Sequence, residues 1–305
     1  MAVARAARRT TATMSGVPTV ALPTNVGTLV VQAPHEKGTV SSIAQLFTVL
    51  GATVLDSAHF SDPVSRRLFQ RIQFDLGLGP DRDALERELG ALASQQALQW
   101  RVCYGDRRKR VGILVSKQEH CLYDLLIRHR AGELACDIAV IVSNHADAAS
   151  VAAHFNVPFH HVPVTQATKV QAELAAAAVL ESAGVDLVVL ARYMQILSPA
   201  LVARFPHRII NVHHSFLPAF VGGNAYRQAH EKGVKMIGAT SHYVTAELDQ
   251  GPIIEQATIR CAHRDTVDDL VRKGRDLEKQ VLAAAVRWHL EDRVQVHDGK
   301  TVVFD

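Results

Sequence analysis

The chain of 305 residues is poor in cysteine (four), tryptophan (two) and aromatic side chains overall (6%), and it lacks any long apolar run. A membrane-spanning helix needs about 18 or more unbroken apolar residues. The best candidate, Leu174 to Leu180, is closed by Glu173 and Glu181, so no such span is expected. Cys103, Cys121, Cys136 and Cys261 stand far apart with no C-x-x-C pair. That spacing makes neither a zinc-ligand pattern nor a disulfide framework, and it fits a reducing compartment. An excess of one charge is also missing: Lys+Arg 33 against Asp+Glu 30 leaves +3. The only dense basic run is Arg107, Arg108, Lys109 and Arg110, which reads as a solvated linker. A nucleic-acid partner, which calls for basic charge gathered on one face, is not expected.

One further absence is local. Residues 1–24 hold Arg5, Arg8 and Arg9 but no acid, the first carboxylate being Glu36. Such a stretch is compatible with an organelle transit peptide, a disordered start, or initiation upstream of a true start at Met14. It is set aside as a flexible tail. The expected location is the cytoplasm, or an organelle if the tail is a targeting segment. What remains is globular in composition, 48% hydrophobic and 21% charged, and long enough for about two domains of roughly 150 residues each.

From Val26 the pattern becomes regular. Val26 to Ala33 reads as a strand, and Ile43, Leu46, Phe47 and Leu50 recur at helical spacing. Thr53 to Phe60 and a segment holding Leu68, Ile72 and Phe74 read as strands around the turn Ser61-Asp62-Pro63. Leu85, Leu89 and Leu92 mark a second helix, and Leu98 to Tyr104 a fourth strand. The order β-α-β-β-α-β over residues 25–104 predicts a ferredoxin-like unit. After a basic linker at 105–110, strands and helices alternate. Val111 to Ser116, Cys136 to Val142, Val185 to Ala191 and Arg208 to His213 are strands. Glu119 to His129, Thr168 to Ala183 and Thr266 to Leu290 are helices, and His160-His161 is read as loop. Residues 111–305 therefore predict an open, mostly parallel, Rossmann-like α/β sheet with helices on both faces. Its ligands belong beyond the carboxyl ends of the strands.

The densest polar cluster, Asn211-Val212-His213-His214-Ser215-Phe216-Leu217-Pro218, lies at such an end. Strand side chains alternate, so Asn211 and His213 share a face. An amide donor beside an imidazole can act on one carbonyl oxygen. Leu248-Asp249-Gln250-Gly251-Pro252 adds a turn-borne carboxylate. The set His213, His214, His242 and Asp249 lacks the short His spacings of zinc sites, so no metal is expected.

Taken together, Asn211-x-His213-x-Ser215-x-Leu217-Pro218, Gly238-x-Thr240-x-His242 and Leu248-Asp249-x-Gly251-Pro252-Ile253-Ile254-x-Gln256 resemble the signature of the 10-formyltetrahydrofolate-dependent formyltransferase fold. Arg192-Tyr193-Met194-Gln195-Ile196-Leu197 looks like its folate-contacting loop. Within that group the chain is most similar to the formyltetrahydrofolate deformylases, over residues 25 to 305. One reason is the N-terminal unit, which resembles an ACT regulatory domain. Another is the segment Ser116-Lys117-Gln118-Glu119-His120-Cys121-Leu122. There the glycinamide-ribonucleotide formyltransferases have a glycine-rich phosphate loop, whereas this chain has no glycine between Gly112 and Gly132.

The resemblance implies a hydrolase that releases formate from 10-formyltetrahydrofolate, supplies that formate to purine biosynthesis, and needs no cofactor. The alternatives are a formyltransferase to an amine, or a non-catalytic folate or amino-acid sensor. It implies Asn211, His213 and Asp249 as catalytic residues. Arg192, Met194, Gln195, Ile196, Leu197, His242 and Gly251 are implied as substrate-binding residues. Glycine and methionine are the implied effectors at the ACT-like unit, and a homo-oligomer the implied assembly. Departures are Ala33-Pro34-His35 where Cys-Pro-Asp is expected, and Gly222-Gly223-Asn224-Ala225-Tyr226-Arg227, which lacks the usual proline.

Overall fold

The computed structural model describes residues 25–79, 81–219 and 224–305, so the expectations for the N-terminal tail and for Gly222-Gly223 lie outside the described residues. The N-terminal unit runs β1 (Val26–Pro34), α1 (Thr39–Leu50), β2 (Thr53–Asp62), β3 (Arg67–Asp75), α2 (Arg82–Gln96) and β4 (Gln99–Tyr104). Its strands pair antiparallel in the order β2-β3-β1-β4, the ferredoxin-like arrangement expected from the element order. α2 starts where the Asp81 side chain accepts a hydrogen bond from the Ala84 amide at 2.6 Å, satisfying a donor the helix cannot pair internally. Ile43 and Phe47 of α1 and Leu85 and Leu89 of α2 bury their faces against Leu29, Val31, Ile72 and Phe74 of the sheet. Each such side chain contributes about 1.5–3 kcal/mol.

The second unit runs β5 (Lys109–Val115), α3 (His120–Arg130), β6 (Cys136–Ser143), α4 (Ala149–His154), β7 (Phe159–His161), α5 (Lys169–Ser182) and β8 (Leu187–Ala191). It continues with α6 (Pro199–Arg204), β9 (Ile209–His213), α7 (Ala225–Glu231), β10 (Met236–Tyr243), β11 (Ile253–Arg260) and α8 (Val267–Leu290). A hairpin, β12 (Val294–His297) and β13 (Lys300–Val303), follows. Seven strands form one sheet in the order β11-β10-β9-β8-β5-β6-β7. The five from β9 to β7 are parallel, while β10 and β11 are antiparallel additions. Alternation sorts the core. Val111, Ile113 and Val115 face one layer, which holds α3 and α8, and Leu114 faces the other, with Ala176, Ala177 and Leu180 of α5. α8 opens on a reciprocal capping box between Thr266 and Asp269.

Two local expectations are corrected. β5 begins at Lys109, and the basic run is tied to neighbouring groups, although Arg107 keeps most of its side chain in water. Lys109 Nζ donates to the carbonyls of His289 and Leu290 at the end of α8, where a cation meets the negative end of the helix dipole. Arg107 pairs with Asp186 at 2.8 Å, and Arg110 Nε donates to the Ala183 carbonyl. His160 and His161 lie in β7, paired with Val142 and Ser143 of β6. Their strand is three residues long, too short for a periodic signal.

The outer face of the N-terminal sheet docks on the end of α8 and the hairpin. Arg71, 1% exposed, donates to the Glu291 carbonyl, and Gln295 Nε2 donates to the Gln70 carbonyl at 3.0 Å. Between the units, the buried Asp292 takes Arg101 of β4 and Lys109 of β5, each at 2.8 Å. Burial alone would raise the Asp292 carboxyl; Lys109 and Arg101 reverse that and hold it below its ordinary 3.8. The stabilisation it contributes is therefore present above the unfolded value and lost as pH falls through the lowered one. Asp292 sits at φ 55°, a region asparagine also tolerates. Asp292→Asn removes the charge without backbone conflict and is expected to cost about 2 kcal/mol in urea unfolding at neutral pH. That is below the roughly 3–5 kcal/mol of a fully buried pair, because Arg101 keeps half its side chain in water.

Candidate active site

Antiparallel pairing sets Asn211 of β9 opposite His242 of β10, and His213 opposite Thr240. Asn211 and His213 share a face, as their spacing requires, and Val212 packs into the core. His242 Nδ1 lies 2.9 Å from the Tyr243 carbonyl, which can only accept, so Nδ1 carries the proton. Nε2 is then the acceptor for the Asn211 amide at 3.3 Å. Burial lowers the pKa of His242, consistent with this neutral tautomer. Asn211 is thereby oriented with its NH₂ group inward, one hydrogen given to His242 and one left over.

Asp249 reaches this pair from the loop between β10 and β11. Its Oδ2 is 3.3 Å from His213 Nδ1, and its Oδ1 3.8 Å from His242 Nε2. The hydrogen bond from His213, against the opposing effect of burial, holds the Asp249 carboxyl below its ordinary value. The group is thus a carboxylate throughout the neutral range. His213 Nε2 is buried without a hydrogen-bond partner. An orphaned ring nitrogen on a cavity wall marks the place where a ligand atom belongs.

The cavity has a volume of about 320 Å³. Asn211, His213, His242 and Asp249 line it, opposite the loop after β8 with Arg192, Met194, Gln195, Ile196 and Leu197. Met194 and Ile196 are more than half exposed, offering apolar surface at the mouth. This loop is hung from β5: Ser116 Oγ accepts from the Met194 amide at 3.0 Å and donates to Asn144 Oδ1. Gly251 does not line the cavity. It packs where a Cβ would collide with the Tyr243 carbonyl oxygen, so it acts by letting the Asp249 loop lie against β10. Other signature residues are scaffold. Thr240 Oγ1 donates to the Ser215 carbonyl at 2.8 Å and accepts from the Leu217 amide, and Gln256 Nε2 donates to the Leu217 carbonyl at 3.1 Å. Together they hold the turn after His213, which contains the cis bond Leu217–Pro218.

Sequence reasoning missed a second buried cluster beside the cavity. Glu278 of α8, 1% exposed, accepts from Tyr226 Oη at 2.6 Å and lies 2.8 Å from His120 Nε2 and 3.5 Å from Arg192 Nε. Arg192 Nε donates to Gln118 Oε1 at 2.9 Å. Burial would raise the Glu278 carboxyl, but the His120 hydrogen bond and the Arg192 charge hold it low. The available signal was an acid one turn after Gly274 and one before the buried Leu282, inside the apolar stripe of α8. His120, Cys121 and Glu278 have ligand atoms within 4.8 Å of one another. They do not suit a cation: burial pushes the Cys121 thiol up, and the Arg192 guanidinium already faces the carboxylate.

The fold belongs to the formyl transferase class: residues 109–286, which hold the Asn–His–Asp cluster, match the family described as formyl transferase. A formyltetrahydrofolate deformylase from Synechocystis sp. is 48% identical over 278 residues, covering 91% of this chain and 98% of that protein. The crystal structure of a formyltetrahydrofolate deformylase from Pseudomonas syringae is similar at TM-score 0.90 and 44% identity, over 92% of this chain and 94% of that one. A glycinamide ribonucleotide transformylase from Symbiobacterium toebii is similar at TM-score 0.62 and 36% identity, over 65% of this chain and 95% of that one. The chain belongs to the formyltetrahydrofolate deformylase family. Because a methyl at 251 would displace the Asp249 loop from β10, Gly251→Ala is expected to lower stability by about 1–3 kcal/mol. A melting curve measures the loss, and in a crystal structure of the variant Asp249 moves out of reach of His213.

Proposed function

We propose that the protein hydrolyses 10-formyltetrahydrofolate to formate and tetrahydrofolate, with Asn211, His213 and Asp249 as the catalytic residues. The observation that carries the assignment of roles is the unpartnered His213 Nε2 beside the spare Asn211 hydrogen, with Asp249 behind the imidazole. The formyl oxygen accepts from Asn211 Nδ2 and from the Nε2–H of His213 in its protonated form, which together stabilise the negative charge that develops as water adds to the formyl carbon. Asp249 holds the imidazole through Nδ1 and takes a proton from the attacking water. The C–N10 bond then breaks as the proton taken up by Asp249 is passed on, through His213 or a water, to N10, and formate leaves. No step calls for a metal or cofactor. Met194, Gln195, Ile196 and Leu197 hold the folate, His242 keeps the Asn211 amide aimed, and Arg192 flanks the reacting group.

The reading extends to the setting of the reaction. The formate supplies purine biosynthesis, and the ACT-like unit responds to glycine and methionine. A homo-oligomer forms through β2, an edge strand that exposes Val54, Leu55 and Phe60; exposed strand edges of this kind pair readily. The enzyme acts in the cytoplasm. Among the described residues no helix is long and apolar enough to cross a membrane.

Incubation with 10-formyltetrahydrofolate and no amine tests the reaction. Formate release in step with folate consumed is expected, and a requirement for an added amine would make the protein a transferase. Asp249→Asn keeps the size of the side chain and removes the base, so turnover should fall roughly 10²–10⁴-fold while folate binding, measured by calorimetry, persists. Near wild-type turnover in that variant would defeat the role given to Asp249.

A further inference from the structure

In an open α/β sheet the ligand crevice lies where the chain reverses its direction of travel across the sheet. Here that point is between β5 and β8: the chain moves outward through β6 and β7, then returns to β8 and goes on to β9. The crevice is filled from within. Arg192, directly after β8, is 7% exposed, and its guanidinium turns to Gln118 beyond β5 and to Glu278. Glu278 is bonded on both oxygens, by Tyr226 of α7 and His120 of α3. The cluster ties the ends of β5 and β8 to α3, α7 and α8, and it lies one strand from His213. Arg192 also holds φ at +62°, a left-handed backbone that an arginine adopts only at a cost in strain. A strained residue whose Nε is held by Gln118 and Glu278, on the wall of the cavity, points to a functional constraint.

We propose that the buried Arg192–Glu278–His120 cluster, with Gln118 and Tyr226, is the determinant that makes water the acceptor, by closing the side of the formyl group from which an amine would approach. This rests on the hydrolysis proposed above. Opening the crevice would allow the alternative transfer: an amine nitrogen bonds to the formyl carbon, the C–N10 bond breaks, and the proton released by the amine ends on N10. The geometry also selects the variant. Glycine takes φ +62° without strain, so Arg192→Gly removes the plug and relaxes the backbone. Arg192→Gly/Glu278→Gln further removes the charge left behind on Glu278.

The probe is glycinamide, supplied with 10-formyltetrahydrofolate, with N-formylglycinamide and formate quantified together by mass spectrometry against an enzyme-free control. The ratio of the two products reads acceptor choice independently of overall rate. The native chain is expected to give formate alone, and at least one variant to raise the ratio tenfold or more. An unchanged ratio in both variants while folate is consumed would overturn the proposal. So would a native chain that formylates glycinamide as readily as the variants do. If both variants keep a native near-ultraviolet circular dichroism spectrum yet consume no folate, Arg192 belongs to the hydrolytic machinery and the assignment falls. A native chain that releases no formate without an amine would instead sink the hydrolysis itself.

Discussion

The register between β9 and β10 is the constraint on which the site depends. Because Asn211 stands opposite His242, the tautomer of a buried histidine decides which way an amide points. Because His213 stands opposite Thr240, a hydroxyl can brace the turn that ends the strand. A slip of one residue would move Val212 onto the polar face and send both functional side chains into the core. The register is held by apolar packing, with Ile209, Ile210 and Val212 buried and Ala239 and Tyr243 on the partner strand. Alignment of the Asn211–His213 face and core packing are therefore one requirement, met by the same few residues.

The second constraint is electrostatic. Both buried carboxylates near the cavity are held ionised against the effect of burial, Asp249 chiefly by the His213 hydrogen bond and Glu278 by His120 and the Arg192 charge. The histidine that bonds Asp249 keeps a buried ring nitrogen without a partner, while Glu278 has no unbonded oxygen. Similar chemistry thus gives a cluster with an unpartnered polar atom on one side of Arg192 and one whose carboxylate is bonded on both oxygens on the other. Satisfied polar networks rigidify, whereas an unsatisfied buried atom is expensive unless something arrives to pair with it.

Much of this could be read from the amino-acid order. The ferredoxin-like unit followed from apolar spacing between Val26 and Tyr104, and the parallel sheet from strand-helix alternation. The sharing of a face by Asn211 and His213 followed from strand periodicity alone. That Asp249 would reach His213 rested on resemblance, because a loop contact between β9 and the β10–β11 connection leaves no periodic trace. Short elements such as β7 and α4 carry too few residues for a pattern. The tethering of Lys109 and Arg110 was hidden because a basic run looks the same whether it meets water or the carbonyls at the end of a helix. Gly251 looked like a contact residue, yet its lack of a side chain is what matters, and only the position of the Tyr243 carbonyl reveals that.

Tyr243 has a further consequence. Its carbonyl supports His242 and receives Gly251, while its hydroxyl shares a 2.7 Å hydrogen bond with Nδ1 of His289. Burial pushes His289 down to about 3, so it stays neutral beside Lys109 and Asp292. One ring thus bridges the floor of the Asp249 loop and the seam where the two units meet. Excising the N-terminal unit would strip Asp292 of Arg101, one of its two cations, and uncover Gln295 and the Glu291 carbonyl. The disturbance would begin a single side chain away from the histidine that aims Asn211. The two units are therefore poor candidates for separation into freestanding modules.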